Sequence, residues 1–423
     1  MENWNENEVE EMERPQRRKK RAKRFDFFSF FIGTLACALC IAVFSVVYVK
    51  NTGNFLLLGD GKISKVDGDV VRNVSEIYTL MNIYYYDDID EDAVKESIYR
   101  SLLDSLDDPY SVYYTKKEYE DFKVSTSGTY SGIGAGVSQN LDTMEVTITK
   151  VYKGTPAEEA GLKNGDKILS VEGVEAVSVE VDELVQYIRG EEGTTVRMVI
   201  YRPSTEETLE FDVERRNVEL LSVEGEMLEN GIAYIQILEF QSKTDEQFQE
   251  MVESFKEQGM KGLIIDVRSN PGGILDSVVN LLDYILPEGL IVYVEDKYGN
   301  RDEFTSGEEC IELPIVVLAD ENSASASEIF AGALKDYDYA TIVGKTTFGK
   351  GIVQKIMLLS NGDAMKLTTE KYFTPNGNYI HGVGIEPHIE VEFEYTGAED
   401  ADYDKQYDSQ FVKALEVMKE MLK

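Results

Sequence analysis

From about residue 233 onward the chain alternates short strand-like apolar runs with helical segments, and this alternation restricts the fold more than any other feature. The runs at 233–237, 263–267, 291–294, 315–318 and 341–343 read as strands, and the stretches between them as helices. Strand–helix alternation predicts an α/β domain with a substantially parallel sheet. Three of the runs lead directly into glycine- and serine-rich junctions: Arg268-Ser269-Asn270-Pro271-Gly272-Gly273, Asp320-Glu321-Asn322-Ser323-Ala324-Ser325-Ala326-Ser327-Glu328, and Phe348-Gly349-Lys350-Gly351-Ile352-Val353-Gln354. Ligand and catalytic groups gather at the carboxyl ends of strands in such sheets, so all three positions suit chemistry.

Composition narrows that chemistry. The formal net charge of -37 would repel phosphates and argues against a nucleic-acid partner. With three cysteines, Cys37, Cys40 and Cys310, neither a disulfide framework nor a cysteine-based zinc site can be assembled. The only histidines are His381 and His388, so a serine–histidine triad could draw on just two positions. No metal or other cofactor is expected.

Residues 1–24 are polar and end in the basic run Arg17-Arg18-Lys19-Lys20-Arg21-Ala22-Lys23-Arg24, and an uncharged apolar stretch follows at 27–49. Such a stretch can cross a hydrocarbon core of about 30 Å. The basic flank then predicts a cytoplasmic N-terminus and a single-pass cell-membrane anchor at 25–50, with the rest extracytoplasmic. A cleaved signal peptide is the nearer competitor, but its apolar region would usually be shorter, about 7–15 residues. A tether at 51–64, a helical region at 65–124, a β-rich block at 125–216, the α/β domain at 217–395 and a C-terminal linker and helix at 396–423 complete the expected organisation. Homo-oligomerisation through the helical segments stands open beside packing of both on their own core.

In the β-rich block, Tyr130-Ser131-Gly132-Ile133-Gly134-Ala135-Gly136-Val137 is a glycine-rich turn running into a strand. Consecutive backbone N–H groups in such a turn can hold a carboxylate. Downstream, Ala160-Gly161-Leu162 and Asn164-Gly165-Asp166-Lys167-Ile168-Leu169 lead through a Gly-Asp turn back into a strand. In this order the two features resemble a PDZ domain. The resemblance implies capture of a peptide C-terminus by strand addition, with Gly132, Ile133, Gly134 and Ala135 at the carboxylate and apolar pockets reading the last side chains.

Within the α/β domain the residues alone leave alternatives open. Ser323, Ser325 and Ser327 begin a helix, where unpaired N–H groups and the helix dipole favour a developing oxyanion, but a serine there is more often a cap. Lys350 between two glycines could be approached closely by another backbone, though a surface charge is the plainer reading, and no phosphate-loop spacing surrounds it. Taken together, Ser-Ala-Ser-Ala-Ser-Glu, Phe-Gly-Lys-Gly-x-Val-Gln and Arg-x-Asn-Pro-Gly-Gly resemble the C-terminal processing peptidases, PDZ-containing, tail-specific serine peptidases. Asp108-Pro109-Tyr110-Ser111 and Tyr372-Phe373-Thr374-Pro375 extend the likeness.

The resemblance implies an α+β and α/β multidomain architecture with a ClpP/crotonase-like core. It makes Ser325 the nucleophile, Lys350 the base and Gln354 the residue orienting the lysine, with Gly272 and Ala326 supplying the oxyanion hole. It also implies protein or peptide substrates with apolar C-terminal tails. A lysine of ordinary pKa, about 10.4, must be brought down to roughly 7–8 to serve as a base near neutrality. Asn322 stands where the family usually has glycine, and His388 where it has aspartate. Two other functions remain to be weighed, a catalytically silent membrane-tethered PDZ scaffold and a hydrolase using His381 or His388.

Overall fold

The computed structural model describes residues 67–398 and 403–423. The chain divides into two units, Met1–Val94 and Lys95–Lys423. In the first, the helix Gly68–Tyr84 is opened by Asp67, whose carboxylate accepts the Asp69 N–H. Val70, Val74 and Ile77 recur along it at helical spacing.

No helix among the described residues is long and apolar enough to cross a membrane. The span expected at residues 27–49 lies outside the described residues. The expectation of a transmembrane helix is corrected accordingly. The fold class loses its membrane-spanning element, and the single-pass extracytoplasmic placement that rested on it loses its support, because an anchor of that kind needs about 20 apolar residues in one helix.

In the second unit, residues 129–219 build a β-rich module. Five strands run in the order Ala135–Gln139, Val146–Val151, Lys167–Val171, Thr195–Arg202 and Glu207–Glu214, all antiparallel. The helices Pro156–Ala160 and Val181–Ile188 accompany this sheet, whose core contains Ile133, Ile148, Ile168, Leu184 and Met198. The Gly-Asp turn has a structural cause. Asp166 is almost fully buried and accepts two hydrogen bonds from the Arg202 guanidinium, at 2.8 and 2.7 Å, while Arg202 also donates to the Gly161 carbonyl at 2.8 Å. One charge pair therefore ties both turns of the motif to the far strand. The short strands Thr129–Gly132 and Arg216–Glu219 pair where the chain enters and leaves the module.

The α/β domain is built on a second sheet, in the order Val223–Met227, Ile232–Ile237, Gly262–Asp266, Ile315–Ala319, Thr341–Gly344 and Ile389–Glu390. Its first pair is antiparallel and the rest are parallel. Both faces are covered, which is why the strands read as continuous apolar runs. Leu263, Ile265, Ile315 and Val317 face a core shared with the helices Thr244–Glu257, Leu275–Ile285 and Ala326–Asp336. Ile264, Val316 and Leu318 alternate to the other face, against Phe411, Ala414 and Met418 of the helix Ser409–Met421.

One expected strand of the parallel series lies elsewhere. Gly289–Asp296 pairs antiparallel with Arg301–Ser306 and Ala364–Phe373 in a separate sheet, which also holds Ile352–Leu358 and Val112–Tyr114. The reason is local. Asp296 accepts from the N–H groups of Tyr298 and Asn300, and Gly299 takes a positive φ of 81°, so the chain reverses in a tight turn and pairs with itself. Residues placed in the helical region also contribute here, since Val112–Tyr114 pairs with the strand carrying Lys366 across some 250 positions.

Candidate active site

The glycine turn after Gly262–Asp266 is held from below. Arg268 donates to Asp266, to Asp408 at 2.7 Å and to Gln410 at 2.9 Å, tying the strand end to the C-terminal helix. Burial works against the guanidinium charge, but Asp266 and Asp408 outweigh it and move the pKa up. Asn270 is fully buried and donates to the Ile237 carbonyl, and its own carbonyl accepts the Ala324 N–H at 3.0 Å and the Ser327 hydroxyl at 2.9 Å. The turn and the serine segment are thereby fixed to each other. Only glycine fits at the contact, because a Cβ on Gly272 would stand 2.7 Å from the Ala324 carbonyl oxygen, and one on Gly273 would overlap the Phe240 carbonyl.

The three serines, equivalent on paper, separate by their surroundings. Ser323 is buried and donates to the Val267 carbonyl at 2.8 Å, and Ser327 is buried against Asn270. Ser325 lines an open cleft of about 350 Å³. Its backbone sits at φ 55° and ψ -111°, a conformation that costs a non-glycine residue about 1–3 kcal/mol. Two bonds maintain it: the Ser325 N–H donates to Glu328 at 3.0 Å, and the buried Tyr372 hydroxyl donates to the Ser325 carbonyl at 3.1 Å.

Glu328 also anchors the lysine loop. Its side chain is completely buried and accepts from the Thr347 hydroxyl at 2.6 Å, the Gly349 N–H at 2.7 Å and the Lys350 N–H at 2.7 Å, in addition to Ser325. One carboxylate thus joins the backbone of the serine to that of the lysine. In the sequence Glu328 appears only as the end of a motif, although the Ser-x-x-Glu spacing of a capping box marks a carboxylate turned back onto the helix start.

Lys350 is half-buried and lines the cleft, with Nζ 4.7 Å from the centre of the Tyr110 ring. Burial pushes its pKa down, and the like charge of Lys366 pushes the same way, while Asp108 and Glu328 pull it back up. The net displacement is downward, the direction a lysine base requires. Gln354 lines the same cleft from the strand Ile352–Leu358, but its Nε2 donates to Thr368 at 3.3 Å rather than to Lys350.

The Gly272 N–H, expected in the oxyanion hole, is already bound to Asn270 Oδ1 at 2.9 Å. The N–H groups of Gly273 and Ala326, both on the cleft wall, have no such partner among the described residues. His388 Nδ1 accepts the Ile342 N–H at 2.9 Å and His381 Nδ1 the Gly351 N–H at 3.3 Å, and neither histidine lines the cleft. A larger hollow of about 480 Å³ lies against the C-terminal helix, where Lys405 pairs with Glu226 and Tyr403 with Asp408.

In the β-rich module the Ile133 side chain is buried in the core and its carbonyl accepts the Ala157 N–H, while the Gly134 carbonyl accepts the Tyr152 N–H. The strand that follows, Ala135–Gln139, is the edge of its sheet. Gln139 bridges it to the helix Val181–Ile188, donating to the Val179 carbonyl and accepting the Val181 N–H, both at 2.9 Å. Gly132, Ile133, Gly134 and Ala135 therefore lie where the chain turns onto an unpaired edge beside a helix.

Known families match both the β-rich module and the α/β domain. Peptidase family S41 matches residues 231–391, and the PDZ domain family matches residues 147–202. Carboxy-terminal processing protease CtpA of Bacillus subtilis (strain 168) is 33% identical over 370 residues, covering 87% of this chain and 78% of that protein. CtpB of the same organism is 36% identical over 324 residues, covering 75% and 67%. A probable CtpA-like serine protease of Staphylococcus aureus (strain COL) is 32% identical over 364 residues, covering 85% and 71%. The chain belongs to the carboxy-terminal processing proteases of peptidase family S41, serine-type peptidases that carry a PDZ domain.

Proposed function

We propose that this peptidase cuts by a serine–lysine mechanism in the cleft that holds Ser325 and Lys350. The neutral Lys350 amine removes the Ser325 hydroxyl proton as Oγ adds to the scissile carbonyl carbon. The oxyanion is met by the N–H groups of Ala326 and Gly273, two cleft residues whose N–H groups have no partner among the described residues. The Lys350 ammonium then protonates the departing amine, and the C–N bond breaks to leave an acyl ester on Ser325. A water deprotonated by Lys350 hydrolyses that ester. Gln354 is the neutral orienting partner: with Nε2 donating to Thr368, its Oε1 remains to accept from the lysine. Nζ rests over Tyr110, so attack requires the lysine to turn toward Oγ, a tightening that substrate commonly brings.

The PDZ module supplies the substrate's end. We read the turn at Gly132, Ile133, Gly134 and Ala135 as the carboxylate holder, and the free edge of Ala135–Gln139 as the place where an apolar tail adds as a strand. The observation that carries the catalytic reading is the Glu328 carboxylate, which binds the backbones of Ser325 and Lys350 together at one cleft. The test is turnover of a protein with an apolar tail by the full chain. Ser325→Ala and Lys350→Ala should each lose at least about 10⁴-fold in kcat while still binding the tail. Continued turnover by Ser325→Ala would refute the nucleophile, and loss of tail binding on Ser325→Ala would refute the separation of the two sites.

A further inference from the structure

The cleft contains a second cation that the mechanism does not use. Lys366 lies on the strand Ala364–Phe373, between Val112 and Ile356 on the neighbouring strands, and lines the same cleft as Ser325 and Lys350. It is half-buried, and its ammonium stands 5.7 Å from the centre of the Tyr114 ring and 5.5 Å from that of Phe122. Those two rings are themselves stacked at 5.3 Å, so the lysine is held against a fixed aromatic wall. Among the described residues no carboxylate approaches Lys366 within ion-pairing distance, although Lys243, Lys256, Lys345, Lys355 and Lys413 each have one.

That isolation arises in a chain where 79 acidic residues face 42 basic ones. An acid is easy to recruit here, and a half-buried ammonium without one is costly, doubly so with a second lysine nearby. Glu239, the carboxylate on the cleft wall, is hydrogen-bonded by Gln241 at 3.2 Å instead. The cleft therefore presents an open positive charge to whatever chain lies across Ser325.

We propose that Lys366 is a carboxylate-binding subsite of the cleft, so that the enzyme favours substrates with a carboxylate close to the bond it cuts. This deepens the serine–lysine reading and rests on the same cleft. The carboxylate has two sources, an aspartate or glutamate side chain, or the substrate's own α-carboxylate when the cut falls near its end. Cation–carboxylate pairing at a half-exposed site gives a preference of about tenfold, equivalent to about 1.4 kcal/mol, that weakens as salt rises.

The test uses the full chain with peptides in which glutamate replaces glutamine at each position around the cut, each made with a free or an amidated C-terminus. The expected result is about tenfold higher kcat/KM for glutamate at one position, or for the free acid, at fixed pH. Lys366→Met should bring that ratio near one, Lys366→Arg should retain it and Lys366→Glu should invert it. A preference for the free acid that survives Lys366→Met belongs to the PDZ turn and would count against the subsite. A Lys366→Met enzyme whose rates all change by one common factor, with a displaced pH profile, would overturn the proposal, because Lys366 would then act only on the ionisation of Lys350. Turnover that persists in Ser325→Ala would instead overturn the cleft reading itself, whereas a dead Ser325→Ala enzyme with an unchanged ratio in Lys366→Met would overturn only the subsite.

Discussion

Replacing Glu328 by glutamine changes one oxygen for an amide nitrogen and leaves the shape intact. In the wild type, Oε1 accepts from Thr347 and Gly349, and Oε2 accepts from Lys350 and Ser325. Whichever way the amide is turned, one of these pairs of donors then faces another donor. Each hydrogen bond to a charged acceptor contributes about 1.5–3 kcal/mol, and part of the loss is offset because a buried carboxylate is no longer desolvated. A net cost of about 2–4 kcal/mol should fall on the contact between the serine segment and the lysine loop. Displacement of the loop by about 1 Å is enough for a loss near 10²-fold in kcat. Glu328 also supports the positive charge of Lys350, so its removal should lower the lysine pKa further and move the rise of activity to lower pH. The assays are kcat and KM against pH on one peptide, denaturant unfolding, and tail binding to the PDZ module. The account predicts a kcat near one hundredth of wild type, a rise at lower pH and unchanged tail affinity. Wild-type kcat in Glu328→Gln would refute the reasoning, and a loss of stability without the shift in pH profile would reduce Glu328 to a packing residue.

Activity should increase with pH through the lowered pKa of Lys350, and Lys350→Arg, which stays charged, should be inactive at every pH where the fold survives. The sign for stability follows from the same shift. The unfolded chain holds this proton more tightly than the folded one, so Lys350 lowers stability below its folded pKa, and the penalty is relieved as pH rises toward its unfolded pKa. Lys350→Met should therefore raise the melting temperature at neutral pH, with the gain shrinking in alkali. In the PDZ module, Asp166→Asn leaves the Arg202 guanidinium buried without its carboxylate and should cost about 3–5 kcal/mol, read by calorimetry, while small peptides that do not need the tail site are still cut. Gly273→Ala should abolish turnover without loss of tail binding, because the added Cβ overlaps the Phe240 carbonyl and displaces a proposed oxyanion donor.

Much of this arrangement could be read from residue order. The alternation of apolar runs marks four of the parallel strands because both faces of that sheet are covered and the runs are uninterrupted. It does not separate Gly289–Asp296 from them, because apolarity does not say whether a strand crosses over or turns back, and the decisive group is the side chain of Asp296 at the hairpin. Val112–Tyr114 was hidden among helices because its partner is remote in sequence. The serines show the same limit at the site. Sequence physics could not choose among Ser323, Ser325 and Ser327 without the family resemblance, and the distinction lies in burial and in which carbonyls their neighbours take up. Glu328 and Lys366 are not legible in the sequence because their importance comes from donors and rings that the fold brings from elsewhere, and the engagement of the Gly272 N–H by Asn270 is likewise a three-dimensional fact.

The central claim is that Ser325 is activated by Lys350. It is tested most directly by labelling the full-length enzyme with a fluorophosphonate and locating the adduct by peptide mass spectrometry across a range of pH. The account predicts a single adduct on Ser325, formed at a rate that rises through the lowered pKa of Lys350 and falls about 10³-fold or more in Lys350→Met. An adduct on another residue, or unchanged labelling of Ser325 in Lys350→Met, would contradict it.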